Sequence, residues 1–458
     1  MNLDRLPAEV EPFGYDRDAR GIGIVHFGIG AFHRAHQAWY TDRAMTADGG
    51  DWMICGVSLR SPDVAEQLNP QDGLYTLAER SAQGTVLRTI GAVREVLVAS
   101  HDPAAVIDRI AAPGTHIISF TVTEKGYCRA GDGSLDLALA GPGSLYRFLR
   151  EGLARRRDAG LPGVTLLSCD NLADNGPQLA RLLDSYLSRH DPALGEWVAS
   201  HCTFPMTMID RIVPATTDGD REEIGAIMGV RDEGIIVTEP FSQWVIEDRF
   251  AGPRPVWEKV GAELVADVVP YETAKLRMLN GAHSLLAYCG LRRGHGFVHE
   301  AVGDPMLHDL ASRLMLEEAR PTIAAVRGQD LAAYAAALLD RFANPSLHHR
   351  LIQIAMDGSQ KIPQRWLATV AARQGEGKTS PAIMAGLAAW MQHVRGANVA
   401  QWGPVDDPMA GRLTALWEGK TAPEMVQALF GENGLFAASW QADAAATPLL
   451  VHEMAQQA

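Results

Sequence analysis

The spacing of apolar and polar positions divides the chain into two textures. Through the first half, short apolar runs recur between glycine-rich or polar turns. Residues 21–27 (Gly-Ile-Gly-Ile-Val-His-Phe), 52–59, 116–122 and 164–168 are such runs. Their length and their near-continuous apolar character predict strands buried on both faces of a parallel sheet. Residues 75–80 and 85–90 alternate instead, with Gly84 between them, which predicts a hairpin. Shorter strands are predicted at 235–239 and 244–247, and helices at 104–112 and 145–157. After Pro270 the strand-like runs stop. Ala- and Leu-rich helical spacing takes over at 272–288, 306–318, 331–341, 366–373, 381–392, 410–418 and 422–429. The expected architecture is an α/β domain over 1–268 followed by a mostly α-helical domain over 269–458.

The first strand runs into Gly28-Ile29-Gly30-Ala31-Phe32-His33-Arg34 and then a helix-compatible stretch through Met45. Strand, glycine turn and helix together give a glycine motif its meaning. Gly28 permits the tight turn, and Gly30 lets a diphosphate approach the backbone. His33 stands where the usual third glycine would be. The N-terminal domain is read as of the Rossmann type, with Gly28, Ile29, Gly30, Ala31 and Phe32 either binding a dinucleotide or forming only a tight strand-to-helix turn. Near the end of the second strand, where NAD sites often carry an acid for the ribose, the chain has Ser58, Leu59 and Arg60. Arg60 suits a 2′-phosphate, so these residues alone leave both NAD and NADP open. It would equally serve as a solvated surface cation. The strand at 116–122 ends in Thr123-Glu124-Lys125-Gly126, a polar cluster where open α/β sheets place ligands. Asn171 follows the strand at 164–168 and suits either a donor to a substrate oxygen or a helix cap. Asp210-Arg211 reads as an acid–base pair, for binding or for structure alone.

Residues 272–283 (Glu-Thr-Ala-Lys-Leu-Arg-Met-Leu-Asn-Gly-Ala-His) open the second domain. On an α-helix, with Lys275 at zero, Glu272 lies at roughly 60°, His283 at roughly 80° and Asn280 at roughly 140°. Leu276 and Leu279 share that arc, so the polar groups are expected to be partly buried. A lysine whose pKa burial lowers can exchange a proton with an alcohol or carbonyl, an amide can donate to a developing oxyanion, and an imidazole can orient the oxygen. An ordinary packed helix with a snorkelling lysine is the competing reading of these three alone. In residues 357–365, Gly358, Ser359, Lys361 and Arg365 break the helical run and read as a functional loop.

Charge and cysteine usage narrow the partners. Of 458 residues, 41 are Lys or Arg and 55 are Asp or Glu, a formal net charge of −14. That disfavours nucleic acid as a main partner but allows a local basic pocket for a small anion. The five cysteines, Cys55, Cys128, Cys169, Cys202 and Cys289, are scattered without metal-ligand spacing. Reduced thiols, a cytoplasmic location and a metal-independent reaction are expected. The N-terminus lacks an apolar signal segment, and no apolar run reaches the roughly 20 residues of a membrane helix. His348 and His349 read as cap or surface residues. No heptad seam marks an interface, so a monomer or weak oligomer is expected.

These motifs resemble the polyol-specific long-chain dehydrogenases, the mannitol dehydrogenase family. The matching stretches are residues 28–36, Thr123-Glu-Lys-Gly-Tyr127, Ser168-Cys-Asp-Asn171, Asp210-Arg-Ile-Val-Pro214, residues 275–283 and Asp357-Gly-Ser-Gln-Lys361, in order along nearly the whole chain. The resemblance implies metal-independent hydride transfer with a nicotinamide cofactor, mostly NAD. It implies Lys275 as general acid–base, Asn171 and Asn280 stabilising the alkoxide, His283 positioning the substrate oxygen and Glu272 relaying the proton to solvent. Glu124 and Arg60 join the cofactor set; Lys125, Asp210, Gln353, Lys361 and Arg365 join the substrate set. Residues 122–128, 268–280 and 344–361 resemble the fructuronate-reducing branch. There Lys125 replaces a glycine, and Gln353 an arginine, that the mannitol-type branch tends to carry. A carboxylate substrate calls for a cation, and Lys125 and Lys361 are the expected ones, with Arg365 behind them.

Overall fold

The computed structural model describes residues 6–456, apart from Leu347 and the side chain of Glu124. The chain forms two compact units that meet in sequence between Val268 and Val269.

The first unit is built on a five-stranded parallel sheet. Its spatial order is Val93–Val98, Met53–Ser58, Ile22–Phe27, Ile117–Phe120, Thr165–Ser168. The central strands are buried along almost their full length, as their unbroken apolar runs require. One core, around Phe27, Ile118, Leu149 and Leu183, covers one face; another, around Ile54, Tyr40, Trp244 and Trp257, covers the other. The strand order reverses direction between Ile22–Phe27 and Ile117–Phe120. This is the switch point outside which doubly wound sheets open a ligand crevice. The architecture is of the Rossmann type.

The hairpin forms as Tyr75–Ser81 with Gly84–Ile90. It belongs to a separate four-stranded sheet with Val10–Glu11 and Ile236–Thr238. A three-stranded sheet joins Thr207–Asp210, Gln243–Glu247 and Glu263–Val265. Unforeseen elements are the edge strand Val93–Val98 and the helices Asn175–His190, Pro192–His201 and Asp218–Met228. The helix after the glycine turn is not continuous. It runs as Ala31–Ala35, breaks at His36 (φ −120°, ψ −92°) and resumes as Gln37–Asp48.

The second unit is helical throughout. Its core gathers Leu285, Leu314, Trp366, Leu387, Trp390 and Phe430 among fully buried side chains. The stretch at 272–288 is not one α-helix. Val269–Ala274 is α-helical, Lys275–Asn280 is a π-helix, and Gly281–Arg292 is α-helical again. Two more π segments, Leu314–Ala319 and Pro363–Leu367, lie in the same unit. The expected loop at 357–365 is helical: Gly358–Ile362 leads directly into the third π segment. No described helix is long and apolar enough to cross a membrane. All five cysteines are buried and unpaired.

Candidate active site

At the switch point of the first unit, the glycine turn and the loop after Phe120 lock together. Gly28 has φ +94°, and a Cβ there would lie 2.1 Å from the Thr121 carbonyl oxygen, so only glycine fits. Thr121 Oγ1 donates to the Gly28 carbonyl at 2.6 Å, and the Gly30 N–H donates to the same oxygen at 2.6 Å. At Gly30 the situation is opposite. A Cβ would meet only the Gly28 oxygen, at 3.9 Å, so that side of the turn is open. An open, side-chain-free backbone turn beside the switch point fits a dinucleotide diphosphate. Ile29 is buried, whereas Ala31 and Phe32 are half-buried. His33 is fully buried and stacks on His26, ring centroids 3.4 Å apart. An imidazole pair thus fills the helix–strand contact that a third glycine would otherwise close.

The loop beyond Thr121 is organised by a residue that sequence reasoning passed over. Asp170 accepts from the backbone N–H of Val122 (2.9 Å) and Thr123 (3.1 Å) and from the Tyr127 hydroxyl (2.8 Å). It holds Thr123 at φ +62°, an uncommon conformation for a β-branched residue. The adjacent Asn171 is exposed at the same strand end. Lys125 is exposed in the short helix Thr123–Gly126, Arg60 is exposed after its strand, and the Glu124 side chain lies outside the described residues. The Asp210-Arg211 reading needs correction. Arg211 is buried and pairs with Glu79, donating also to the Glu239 and Ala35 carbonyls. It is a structural tie, and Asp210 is buried beside it in sequence.

In the second unit, the π-helix changes the geometry of the lysine motif. In π pairing residue i+5 bonds back to residue i. Lys275 and Asn280 therefore stand one turn apart on one side, rather than the roughly 140° that α geometry gives. Both are 8% exposed, and His283 is 7% exposed. Glu272 is half-buried one turn earlier. The junction survives because other π-segment side chains satisfy its carbonyls. Trp366 Nε1 donates to the Gly281 oxygen at 3.0 Å; Arg365 Nη1 donates to Ser284 Oγ at 2.8 Å and the Asn280 oxygen at 3.4 Å.

The surroundings of His283 are cationic. Its ring lies 4.5 Å from Phe342 and 5.3 Å edge-on from His349. Burial, then His349, Arg341 and Arg365, hold its pKa well below the usual value, so it is neutral. Its Nε2 is shielded from solvent and has no hydrogen-bond partner among the described residues. His349 is thus half-buried against the site rather than a surface residue, whereas His348 is exposed. Burial lowers His349 as well, with Arg341 adding to the effect. Arg365 is pushed down to about 10 by burial. It has no carboxylate partner among the described residues. Lys361 is less available: its Nζ donates to the Met356 carbonyl at 2.5 Å and lies 3.9 Å from Asp357. Gln353 is exposed on the helix Leu351–Ala355. Among the described residues, no three His, Cys, Asp or Glu side chains group as a metal site would need.

An α/β unit with a Rossmann switch point, followed by a helical unit carrying a buried lysine–amide–imidazole set, defines a class of oxidoreductase. The mannitol dehydrogenase Rossmann domain model matches residues 22–259, and the mannitol dehydrogenase C-terminal domain model matches residues 267–457. The chain belongs to the mannitol dehydrogenase family. It is 43% identical to the "Uncharacterized oxidoreductase YeiQ" of Escherichia coli K12, over 94% of this chain and 91% of the relative. It is also 43% identical to the D-mannonate oxidoreductase of the same organism, over 90% of this chain and 88% of the relative. Among solved structures it resembles Pseudomonas fluorescens mannitol 2-dehydrogenase in ternary complex with NAD and D-mannitol. That match has a TM-score of 0.82 and 34% identity, covering 100% of this chain and 95% of the other.

Proposed function

We propose that the protein is an NAD-dependent oxidoreductase of sugar acids and polyols, and that its substrate pair is D-fructuronate and D-mannonate. The observation that supports the sugar-acid reading is Arg365, a largely buried guanidinium without a carboxylate partner among the described residues, whose charge reaches the neutral imidazole of His283. A substrate carboxylate would supply the missing counter-charge. The 43% identity to a D-mannonate oxidoreductase, against 39% to the mannitol 2-dehydrogenase of Pyrenophora tritici-repentis, points weakly the same way.

The turn at Gly28, Ile29, Gly30, Ala31 and Phe32 would hold NAD, with Arg60 and Glu124 as further candidates. The cofactor supplies or accepts the hydride. The chain's own groups manage the oxygen. In reduction of the keto sugar, Lys275 Nζ gives a proton to the carbonyl oxygen. The side-chain amides of Asn280 and Asn171 donate to that oxygen as its charge grows. With Nε2 sealed, Nδ1 is the His283 nitrogen that meets substrate. Glu272 passes the proton between Lys275 and solvent. Arg365 takes the carboxylate, and Lys125, Asp210, Gln353 and Lys361 complete the proposed substrate set.

The alternative is a mannitol or arabinitol 2-dehydrogenase, favoured by the match to a structure in complex with D-mannitol. A tagaturonate-type reductase differs only in the epimer. NADH oxidation with D-fructuronate, D-tagaturonate and D-fructose in parallel separates the three. A kcat/KM at least a hundredfold higher for one uronate is expected. Equal or better turnover of fructose would replace the sugar-acid reading with the polyol one.

A further inference from the structure

Beneath the glycine turn lies a chain of buried polar side chains that the proposed reaction does not use. His26 Nδ1 is 2.8 Å from Ser119 Oγ, and Ser119 Oγ is 2.8 Å from the Gln37 side-chain amide. His26 Nε2 is 2.8 Å from Thr121 Oγ1, which is 2.6 Å from the Gly28 carbonyl. His26, His33, Ser119 and Gln37 are at most 1% exposed.

Proton counting gives the chain a direction. Each hydroxyl carries one proton. The 2.6 Å contact of Thr121 Oγ1 with a carbonyl oxygen requires that its proton point there. Thr121 must then accept from His26 Nε2–H. The other nitrogen, Nδ1, accepts from Ser119; the Gln37 amide, whose Oε1 is placed toward Ser119, must then be turned over so that its nitrogen donates to Ser119. With the Gln37 amide turned this way its oxygen faces His33. The opposite direction leaves an oxygen–oxygen contact of 2.6 Å without a proton. It also leaves the Gln37 nitrogen without a partner, as it stands when the amide is turned the other way. Burial keeps His26 neutral, its pKa pushed down to about 3, so one of its two nitrogens remains an acceptor at ordinary pH.

We infer that Gln37, Ser119, His26 and Thr121 form a positioning relay that turns the Gly28 carbonyl inward and so keeps the glycine turn able to receive the anionic part of the cofactor. A carbonyl oxygen carries partial negative charge, and one facing a diphosphate would repel it. Gly28 has no side chain to fix its own peptide, and its φ of +94° leaves that peptide free to turn. The Gly30 N–H and Thr121 Oγ1 both donate to its oxygen at 2.6 Å, with His26 Nε2 3.3 Å away, and the relay supplies the side-chain part of that hold. His33 lends shape: its stacked ring keeps His26 from swinging away from Thr121.

This inference rests on the proposed NAD site, and its test separates the two. NADH binding is followed by fluorescence, and thermal midpoint in parallel, for the full chain and for Thr121→Val, Thr121→Ser and His26→Phe. Thr121→Val and His26→Phe are expected to weaken NADH binding about tenfold, the loss of one buried hydrogen bond. Thr121→Ser, which keeps the hydroxyl, is expected to bind as the unaltered chain does. In turnover the change should appear in the KM for NADH rather than in kcat. NADH affinity unchanged in Thr121→Val, or lowered as much in Thr121→Ser, overturns the relay while leaving the NAD site standing. If Thr121→Val does not fold, His26→Phe decides by the same criterion. Absence of NADH binding by the unaltered chain removes both readings.

Discussion

Lys275 is 8% exposed beside Leu279 at 3%, and burial of its ammonium disfavours the charged form. As the proposed proton donor it should contribute about 10²–10⁴ to turnover. Lys275→Ala is therefore expected to lower kcat by that factor. NADH affinity should change far less, because the proposed task of Lys275 is at the substrate oxygen. Measurement of both on one preparation checks the assignment; a variant that turns over normally would remove Lys275 from the chemistry. At this scale much of the candidate site was legible, because chemistry-bearing residue types stood at helical spacing among apolar ones. What spacing did not reveal were residues that act through backbone groups. Asp170 was in view within its motif, yet its task, holding three donors from the neighbouring loop, depends on a strand that is distant in sequence. Trp366 and His349 meet the lysine helix from elsewhere in the second unit, which no local pattern encodes.

The lysine helix contains one residue more per turn than an α-helix allows across 275–280, and this insertion stacks Lys275 over Asn280. Side-chain donors from the Pro363–Leu367 segment stabilise it. Removing one, in Trp366→Phe, deletes the buried side-chain bond to the Gly281 carbonyl at a cost of about 0.5–1.5 kcal/mol. The expected result is a lower urea midpoint together with a kcat reduced more than the KM for NADH changes. An unchanged kcat would mean that the register of the motif does not depend on this donor. The π insertion was not legible, since apolar positions at 276, 278 and 279 suit either winding. The buried strands and the hairpin were legible from their runs and alternation. The edge strand Val93–Val98 was not, because Arg94 and Glu95 interrupt its apolar run where one side of the strand has no neighbour. The helix Asn175–His190 carries Leu179, Leu182, Leu183, Tyr186 and Leu187 at helical spacing, so its signal was present and went unread.

Across the whole chain, buried neutral imidazoles tie stability to pH. His26 is pushed down to about 3 and His393 to about 4, both by burial, and His33 and His283 lie well below their usual value. In the unfolded chain each takes a proton below about pH 6.5. The unfolded state then binds more protons than the folded one, so stability falls as pH drops through that value, by about 1.4 kcal/mol per pH unit for each imidazole. Asp42, pushed up to about 6 by burial, and Glu318, also raised, act oppositely: the folded state gains protons there as pH falls. Four histidines outweigh two acids, and each unit contains two of the four. The thermal midpoint is expected to drop by about 10 °C or more between pH 7 and pH 5; a flat profile would mean that these rings are not held neutral. The five buried cysteines have a practical consequence of a different kind. Burial raises the thiols of Cys55 and Cys169 well above the ordinary value, and those of Cys202 and Cys289 to about 11 and about 12. Sheltered from reagents and undissociated, they act as dormant labels. Each takes up an alkylating probe only when the surrounding structure opens, so mass spectrometry of labelled peptides would time the breathing of the first unit at four addresses and of the second at Cys289.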